Sequence, residues 1–265
     1  RKWDTTPQLT NSFQQDSYIR IKGAVETFNG AMQIKIVELC PVDAAKVQKG
    51  EFIPCTDKDV PAMLAELKAI IETIQDPYLL KLLQAFFNDE AFCKTFSAAP
   101  AAMQFHHAYL GGLLEHILSV AKLAISFASH YPNIKRDLLI TGVIFHDIGK
   151  TRELSCERSF QYTDEGLLTG HLISGVLMIQ ERAAKINGFP QDLLNVLFHL
   201  VLSHHGEYEW GSPVKPGTLE AIALHHLDNL DAKVNAAAKA ISEHKDTNSS
   251  WTEYSKMFER RLYKR

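Results

Sequence analysis

The chain has 265 residues, enough for one large core or for one domain with a smaller partner. Hydrophobic residues make up 46% and charged residues 22%, a globular composition, and the longest apolar runs, such as 138–145, are too short to cross a bilayer. A net charge of −3 argues against indiscriminate coating of nucleic acid while leaving room for a local basic groove. No signal-peptide pattern opens the sequence, and Cys40, Cys55, Cys93 and Cys156 form no C-x-x-C pair. The expectation is a cytoplasmic protein with reduced thiols and no membrane partner.

In chain order, 17–28 carries apolar and β-branched residues near alternate positions, Ile19, Ile21 and Val25 among them. Asn29-Gly30 then suits a two-residue type I′ turn, and Met32, Ile34 and Ile36 alternate on the return. Because a lone hairpin is marginal, residues 1–55 read as part of a small β-barrel whose earlier strands are not in this sequence. A polar stretch with two prolines, 54–61, marks a boundary. Beyond it Met63, Leu64, Leu67, Ile70, Ile71 and Ile74 recur at helical spacing, with Asp59 as the candidate cap. Further helices are expected at 77–88, 90–96, 112–131, 135–145, 168–186, 191–203, 218–243 and 252–262. The result is a mainly α chain: a partial barrel over 1–55, a helical connector over 56–105, and a helical bundle over 106–265.

All twelve histidines lie at or after His106, so the chemistry belongs to the second part of the chain. His116 falls in the first turns of an amphipathic helix, and His146-Asp147 ends an apolar one. His171 heads another helix, His204-His205 close a fourth, and Asp228 lies inside a fifth. A single histidine on an apolar helix face is ordinarily a hydrogen-bonded core residue, and a single aspartate a solvated one. The set is different. Burying five imidazoles and two carboxylates together without a cation would cost on the order of several kcal/mol per unpaired charge. Divalent metal removes that cost, since imidazole nitrogen and carboxylate oxygen are its natural ligands. Two metals bridged by a carboxylate suit the count and could clamp both oxygens of a phosphoryl displacement. His130 and His244 read as solvent-facing and His199 as structural. His225 and His226 flank Asp228 and read as core or surface residues, or as one support behind the ligands.

The ordered pattern of His116, His146-Asp147, His171, His204-His205 and Asp228 resembles the HD phosphohydrolase superfamily. The strings HHAYLGGLLEH (106–116), FHDIGKTREL (145–154), YTDEGLLTGH (162–171), LSHHGEYEWGSPVKPGTLEA (202–221) and DNLDAKVN (228–235) are similar to the YhaM-type 3′→5′ exoribonucleases. That family joins an amino-terminal OB-fold, a nucleic-acid-binding barrel, to an HD domain. The resemblance covers nearly the whole chain, with 1–55 matching the second half of the barrel.

The resemblance implies two divalent cations (Mn, Fe, Co, Mg or Zn). His116, His146, Asp147 and Asp228 would hold one; Asp147 would bridge to a second held by His171 and His204, with His205 beside it. Water activated by the cations would attack phosphorus in line, and Lys150 would steady the charge developing on the phosphate oxygens. Without that motif Lys150 would read as a solvated lysine at a helix end. Glu115 could accept a ligand imidazole N–H or a metal-bound water, and His107 could sit on the rim of the site. Trp210 could stack on a terminal base or anchor its loop by burial.

In the barrel segment, Trp3, Tyr18 and Phe28 with Arg20, Lys22 and Lys35 combine rings and positive charge, which suits single-stranded nucleic acid. The balance there is weak, seven Lys/Arg against six Asp/Glu over 1–55, and part of the ring set reads as core. The leading reading is a metal-dependent 3′→5′ exonuclease on single-stranded RNA, with single-stranded DNA as a second substrate and 5′-monophosphates as products. An HD-type nucleotidase or cyclic-nucleotide phosphodiesterase, and a nucleic-acid-binding module with a structural metal centre, are the rivals. A homo-oligomer is compatible with the sequence.

Overall fold

The computed structural model describes residues 7–14, 16–47, 49–103, 107–156, 159–244 and 249–264. Expectations placed on Trp3 and His106 fall outside these residues. The chain divides into two compact units, one holding the described residues up to Pro54 together with Ser159, the other running from Cys55 onward.

The first unit opens with one helical turn, α1 (Pro7–Thr10), followed by an antiparallel hairpin of β1 (Ile19–Phe28) and β2 (Ala31–Pro41). Asn29 and Gly30 both adopt positive φ, as a type I′ turn demands. The pairing shifts between Lys22 and Gly23, so that Lys22 faces Glu38 and Gly23 faces Ile36. This bulge brings Ile34, Ile36 and Leu39 onto the face of Ile19, Ile21 and Val25, while Arg20, Lys22 and Lys35 share the opposite face. Gly23 is required there, because a Cβ would lie 2.4 Å from the Lys35 carbonyl oxygen. The small antiparallel sheet agrees with part of an OB-fold.

The second unit is helical. Its elements are α2 (Val60–Ile71), α3 (Pro77–Phe87), α4 (Glu90–Ala98), α5 (Gly112–His130), α6 (Arg136–Phe145), α7 (Lys150–Glu153), α8 (Asp164–Ala183), α9 (Gln191–Ser203) and α10 (Leu219–Ser242). A two-residue ladder, β3 (Leu154–Ser155) with β4 (Gln161–Tyr162), lies between α7 and α8. Aspartates start the early helices: Asp59 accepts from Ala62 N, Asp76 from Tyr78 N and Leu79 N, and Asp89 from Ala91 N and Phe92 N. Thr163 and Thr218 do the same for α8 and α10.

The helices of 56–105 are more than a connector. Leu67, Leu83, Phe86 and Phe96 are fully buried in the same core as Leu114, Ile117, Val143, Phe145 and Leu200. Phe86 meets Phe92 and Phe145 with ring centroids 5.1 and 5.0 Å apart, and the Arg182 guanidinium lies 4.1 Å from the Phe86 centroid while its Nη2 pairs with Asp89 at 2.9 Å. The three helices complete the wall against which the site-bearing helices pack.

Three expectations need correction. By length and composition α5 could cross a membrane, although no uninterrupted run suggested it, because few charged residues interrupt its apolar ones. Leu113, Leu114, Ile117, Val120, Ala121 and Ala124 are nonetheless all buried within the bundle, so it is the core helix of this unit. The region 252–262 is not a helix. Trp251 bridges Tyr263, Ser255 bridges Arg260, and Thr252 N donates to Leu262 O at 2.9 Å, so pairing between distant residues overrides the helical spacing of its apolar side chains. Finally, α8 begins at Asp164 and breaks at Gly170, whose φ of 69° few other residues adopt readily.

That break carries His171 against the turn after α6. A Cβ on Gly149 would lie 2.0 Å from the His171 carbonyl oxygen and 2.7 Å from Gly175 N, both backbone atoms with no room to yield. Gly149→Ala should therefore lower stability by about 1–3 kcal/mol as α8 is forced outward. Urea denaturation followed by circular dichroism measures this, and an unchanged midpoint would refute the close approach.

Candidate metal centre

Two histidines owe their orientation to their position at helix ends. At the close of α6 the His146 Nδ1–H donates to Val143 O at 2.7 Å, and at the close of α9 the His204 Nδ1–H donates to Val201 O at 2.8 Å. A carbonyl can only accept, so both rings carry their proton on Nδ1 and present an Nε2 lone pair. His116, on the second turn of α5, has Nδ1 2.8 Å from Asp231 Oδ2. His171, just past the Gly170 break, has Nδ1 3.1 Å from Glu153 Oε1, which also accepts from the His171 backbone N–H. All four Nδ1 atoms are tied to oxygen.

The Nε2 atoms of these rings converge on Asp147. Its Oδ2 lies 3.3 Å from His146 Nε2 and 3.9 Å from His116 Nε2, and its Oδ1 lies 3.6 Å from both His171 Nε2 and His204 Nε2. Asp228 Oδ1 on α10 is 3.1 Å from His116 Nε2 and 3.7 Å from His146 Nε2. Donor atoms of His116, His146 and Asp228 form one close group; those of His146, Asp147 and His204, and of His171, His204 and His205, form two more. Thus all seven residues singled out in the sequence meet at one place, five of them contributed by the ends or breaks of helices.

The fit to a cation rests on atoms with no other partner. Asp147 Oδ1, His171 Nε2 and His205 Nδ1 are buried without a hydrogen bond among the described residues. Buried lone pairs of this kind are costly unless something electropositive meets them. The donors, imidazole nitrogen and carboxylate oxygen, are those a divalent metal takes.

Electrostatics agree. Burial disfavours the charged form of Asp147, but the Lys150 ammonium and the His146 imidazole outweigh it and hold the carboxyl well below the usual carboxylate range. Burial opposes ionisation of Asp228 too, and the hydrogen bond with His116 and the electrostatic influence of the nearby His146 ring reverse that, lowering its pKa. His116 would be pushed down by burial, yet its hydrogen bonds to Asp228 and Asp231 raise it to about 9. For His204, burial together with His146 and His205 drives the pKa far down, and burial and His171 lower that of His205, so both imidazoles stay neutral, the form that ligates.

Lys150 is not a solvated lysine: its Nζ pairs with Asp147 Oδ2 at 2.6 Å and its side chain is largely covered. A cavity of about 200 Å³ opens over the centre, lined by Asp147, Lys150, His205, Asp228, Asn229 and Trp210 among others. Trp210 is 55% exposed with its ring 5.9 Å from that of His225, so it stands at the mouth and is no buried anchor. Arg20, Lys22 and Lys35 are exposed on the hairpin, with Lys22 3.5 Å from Glu38.

Two expected contacts are not made. Glu115 reaches no ligand imidazole; it accepts from Thr56 Oγ1 at 2.5 Å, pairs with Lys58 Nζ at 3.0 Å and also bonds Tyr109. A residue one position from His116 on a helix points about 100° away from it, which sends Glu115 to the other side. His107 is 3% exposed and lies behind the site, its Nδ1 2.9 Å from Tyr109 OH and its Nε2 3.3 Å from Asp231 Oδ2. Its φ of 48° puts it in the left-handed region, a local cost held by that packing.

Sequence reasoning missed Asp231 and Glu153. Asp231 also accepts from Ser119 Oγ at 2.5 Å and lies 3.3 Å from His107 Nε2, and these two contacts steady the carboxylate that orients His116. The available signal was spacing: Asp228 and Asp231 are three apart and share one face of α10. His225 was also underweighted; its Nδ1–H donates to His204 O at 2.8 Å and steadies the ligand pair. His199, read as structural, accepts from Gly217 N at 2.8 Å.

A helical bundle that collects histidines and aspartates able to hold metal in this order defines an HD domain, and the HD-domain family matches residues 113–233. HD domains bind divalent metals. The chain is 36% identical over 251 residues to a protein of Geobacillus sp. (strain WCH70) named 3′-5′ exoribonuclease YhaM, covering 91% of this chain and 74% of that one. Proteins of the same name from Shouchella clausii and Bacillus licheniformis are each 34% identical over 240 residues, covering 90% of this chain and 74% and 76% of theirs. No solved structure gives a significant match. The chain belongs to the YhaM-type family of HD-domain proteins.

Asp231→Asn keeps the shape of the side chain but removes the charge behind His116. It should weaken divalent-metal affinity by about 10- to 100-fold while leaving the helices intact. Isothermal titration with Mn²⁺ or Zn²⁺ reads the affinity, and wild-type binding would reduce Asp231 to a packing residue.

Proposed function

We propose that this chain is a metal-dependent 3′→5′ exonuclease that hydrolyses single-stranded RNA to nucleoside 5′-monophosphates. The observation that carries the reading is the division of labour at Asp147, whose two carboxylate oxygens face two different sets of imidazoles. His116, His146, Asp228 and Asp147 Oδ2 would hold one cation, and Asp147 Oδ1, His171, His204 and His205 a second. Five imidazoles favour Mn, Fe, Co or Zn over Mg. When bound, such a pair supplies neutralisation of phosphate oxygens and a lowered pKa for attacking water.

The chain's own groups do the rest. Asp231, Glu153 and the two helix-end carbonyls keep the imidazoles in one tautomer and one orientation, so no reorganisation is needed when phosphate arrives. Lys150, on the cavity wall, stabilises the charge that builds on the non-bridging oxygens. Trp210 at the mouth offers a ring face to the terminal base, and Asn229 beside it offers amide donors and acceptors. The names of the relatives support RNA as substrate and the 3′ end as the point of attack.

Labelled 20-mers test direction. A 3′ block should protect single-stranded RNA, a 5′ block should not matter, and Asp147→Ala should lose both metal and activity while staying folded. Attack from the 5′ end, or cutting of a circular strand, would sink the exonuclease reading, and the same assay on single-stranded DNA ranks the two substrates.

Lys150→Ala separates electrostatic stabilisation from ligation. Metal content and substrate binding should stay near normal while the single-turnover rate falls by roughly 10²- to 10³-fold. An unchanged rate would show that the cations alone neutralise the phosphate.

A further inference from the structure

A second cavity on the helical unit lies away from the metal centre. It is a groove of about 690 Å³ between the last turns of α10 and the carboxy-terminal hairpin, lined by Ala236, Ala240, Met257 and Phe258 with Lys239 and Lys256. Ser255 and Glu243 complete its walls, and Glu243 lies 4.0 Å from Lys239. An apolar lining that includes two lysines, one of them paired with a carboxylate, suits a stacked base with its phosphate.

The hairpin adds ring faces and charge. Trp251 and Tyr263 pair across it with centroids 5.0 Å apart, and both are about half exposed at 49% and 47%. Thr252 and Leu262 are the covered side chains of the next pair, so Trp251 and Tyr263 project from the opposite face, with Tyr254 exposed close by. Lys256, Arg260 and Arg261 are exposed and form no ion pair with a described carboxylate; Glu253 and Glu259 are the opposing charges of the segment. In monomeric proteins exposed rings beside unneutralised cations mark a binding surface. The charge selects a polyanion, and the rings select one with free bases.

We propose that this groove and hairpin bind the upstream part of the single strand whose 3′ end lies at the metal centre. The proposal rests on the exonuclease reading. The axis of α10 links the two places: Asp228 reaches the centre, Lys233 Nζ lies 6.0 Å from the Trp210 centroid, and Ala236–Glu243 line the groove. At 1.5 Å per residue the groove lies about 12 to 22 Å along the helix from Asp228, the reach of a few nucleotides.

Full-length protein in EDTA, where no cleavage occurs, is titrated into 5′-fluorescein oligouridine of 3 and 12 nucleotides by anisotropy. The double substitution Lys256→Glu with Arg261→Glu lies on exposed side chains and should preserve the circular dichroism spectrum. It should weaken 12-mer binding about tenfold or more and lower the salt slope by roughly 0.7 for each phosphate no longer neutralised. Binding of the 3-mer, and hydrolysis of bis(p-nitrophenyl) phosphate with Mn²⁺, should stay unchanged. Trp251→Ala should act in the same direction without altering the salt slope. Equal 12-mer affinity in the folded double variant would overturn the proposal, as would loss of self-association in sedimentation with RNA binding intact, which would make the face a contact between copies. Failure of the wild-type, metal-loaded protein to hydrolyse any phosphodiester would remove the nuclease reading itself, a result independent of the anisotropy.

Discussion

Four imidazole rings anchored at Nδ1 are the constraint on which the rest of this unit depends. A histidine free to flip would offer either nitrogen, and four such rings would share no common centre. Here two anchors are carbonyls three residues back in the same helix, and two are carboxylates from other elements. The carbonyl anchors explain why the pairs at 146–147 and 204–205 stand at helix ends, where the backbone has just released its last acceptors. The carboxylate anchors explain why α7 and α10 must pack where they do, since Glu153 and Asp231 have to reach histidines borne on α8 and α5.

Packing follows from that demand. His116 is buried among leucine, isoleucine and valine side chains of α5, with Asp228 Oδ1 3.1 Å from one ring nitrogen and Asp231 Oδ2 2.8 Å from the other. A polar group so placed is tolerable only when both ends are satisfied. The wall of α2, α3 and α4, with its clustered phenylalanines, keeps the far side of α5 and α6 dry and fixed. A dry, rigid backing is what makes an ammonium such as that of Lys150 effective, because solvent would screen it.

The convergence of these histidines and aspartates was legible in the sequence because their residue types clash with their surroundings. A His-Asp pair ending the run that begins at Leu138 has no reason to be there on apolar grounds, and five such clashes in order leave few alternatives. The hairpin turn was legible for a similar local reason, since Asn29-Gly30 suits positive φ twice over. What escaped was tertiary. Glu153 looks like any acidic residue on a short helix until the Gly170 break swings His171 against it. The tail's apolar spacing at Tyr254, Phe258 and Leu262 fits a helix, and only the pairing of Thr252 with Leu262 shows otherwise. His107 was placed at the rim from its position in the motif, yet its neighbours in space are Tyr109 and Asp231.

Gly206 follows the ligand pair with a φ of 85°, and a Cβ there would fall 2.2 Å from the His225 ring, which in turn holds the His204 carbonyl. Any side chain there would have to displace that ring and adopt a left-handed backbone as well. Were variants across a population to prove intolerant there, the natural temptation would be to credit phosphate contact to a glycine beside two ligands. The cause would lie one layer back, in an imidazole that touches no substrate. Intolerance to change around this centre therefore maps the thickness of its scaffold as much as the extent of its chemistry.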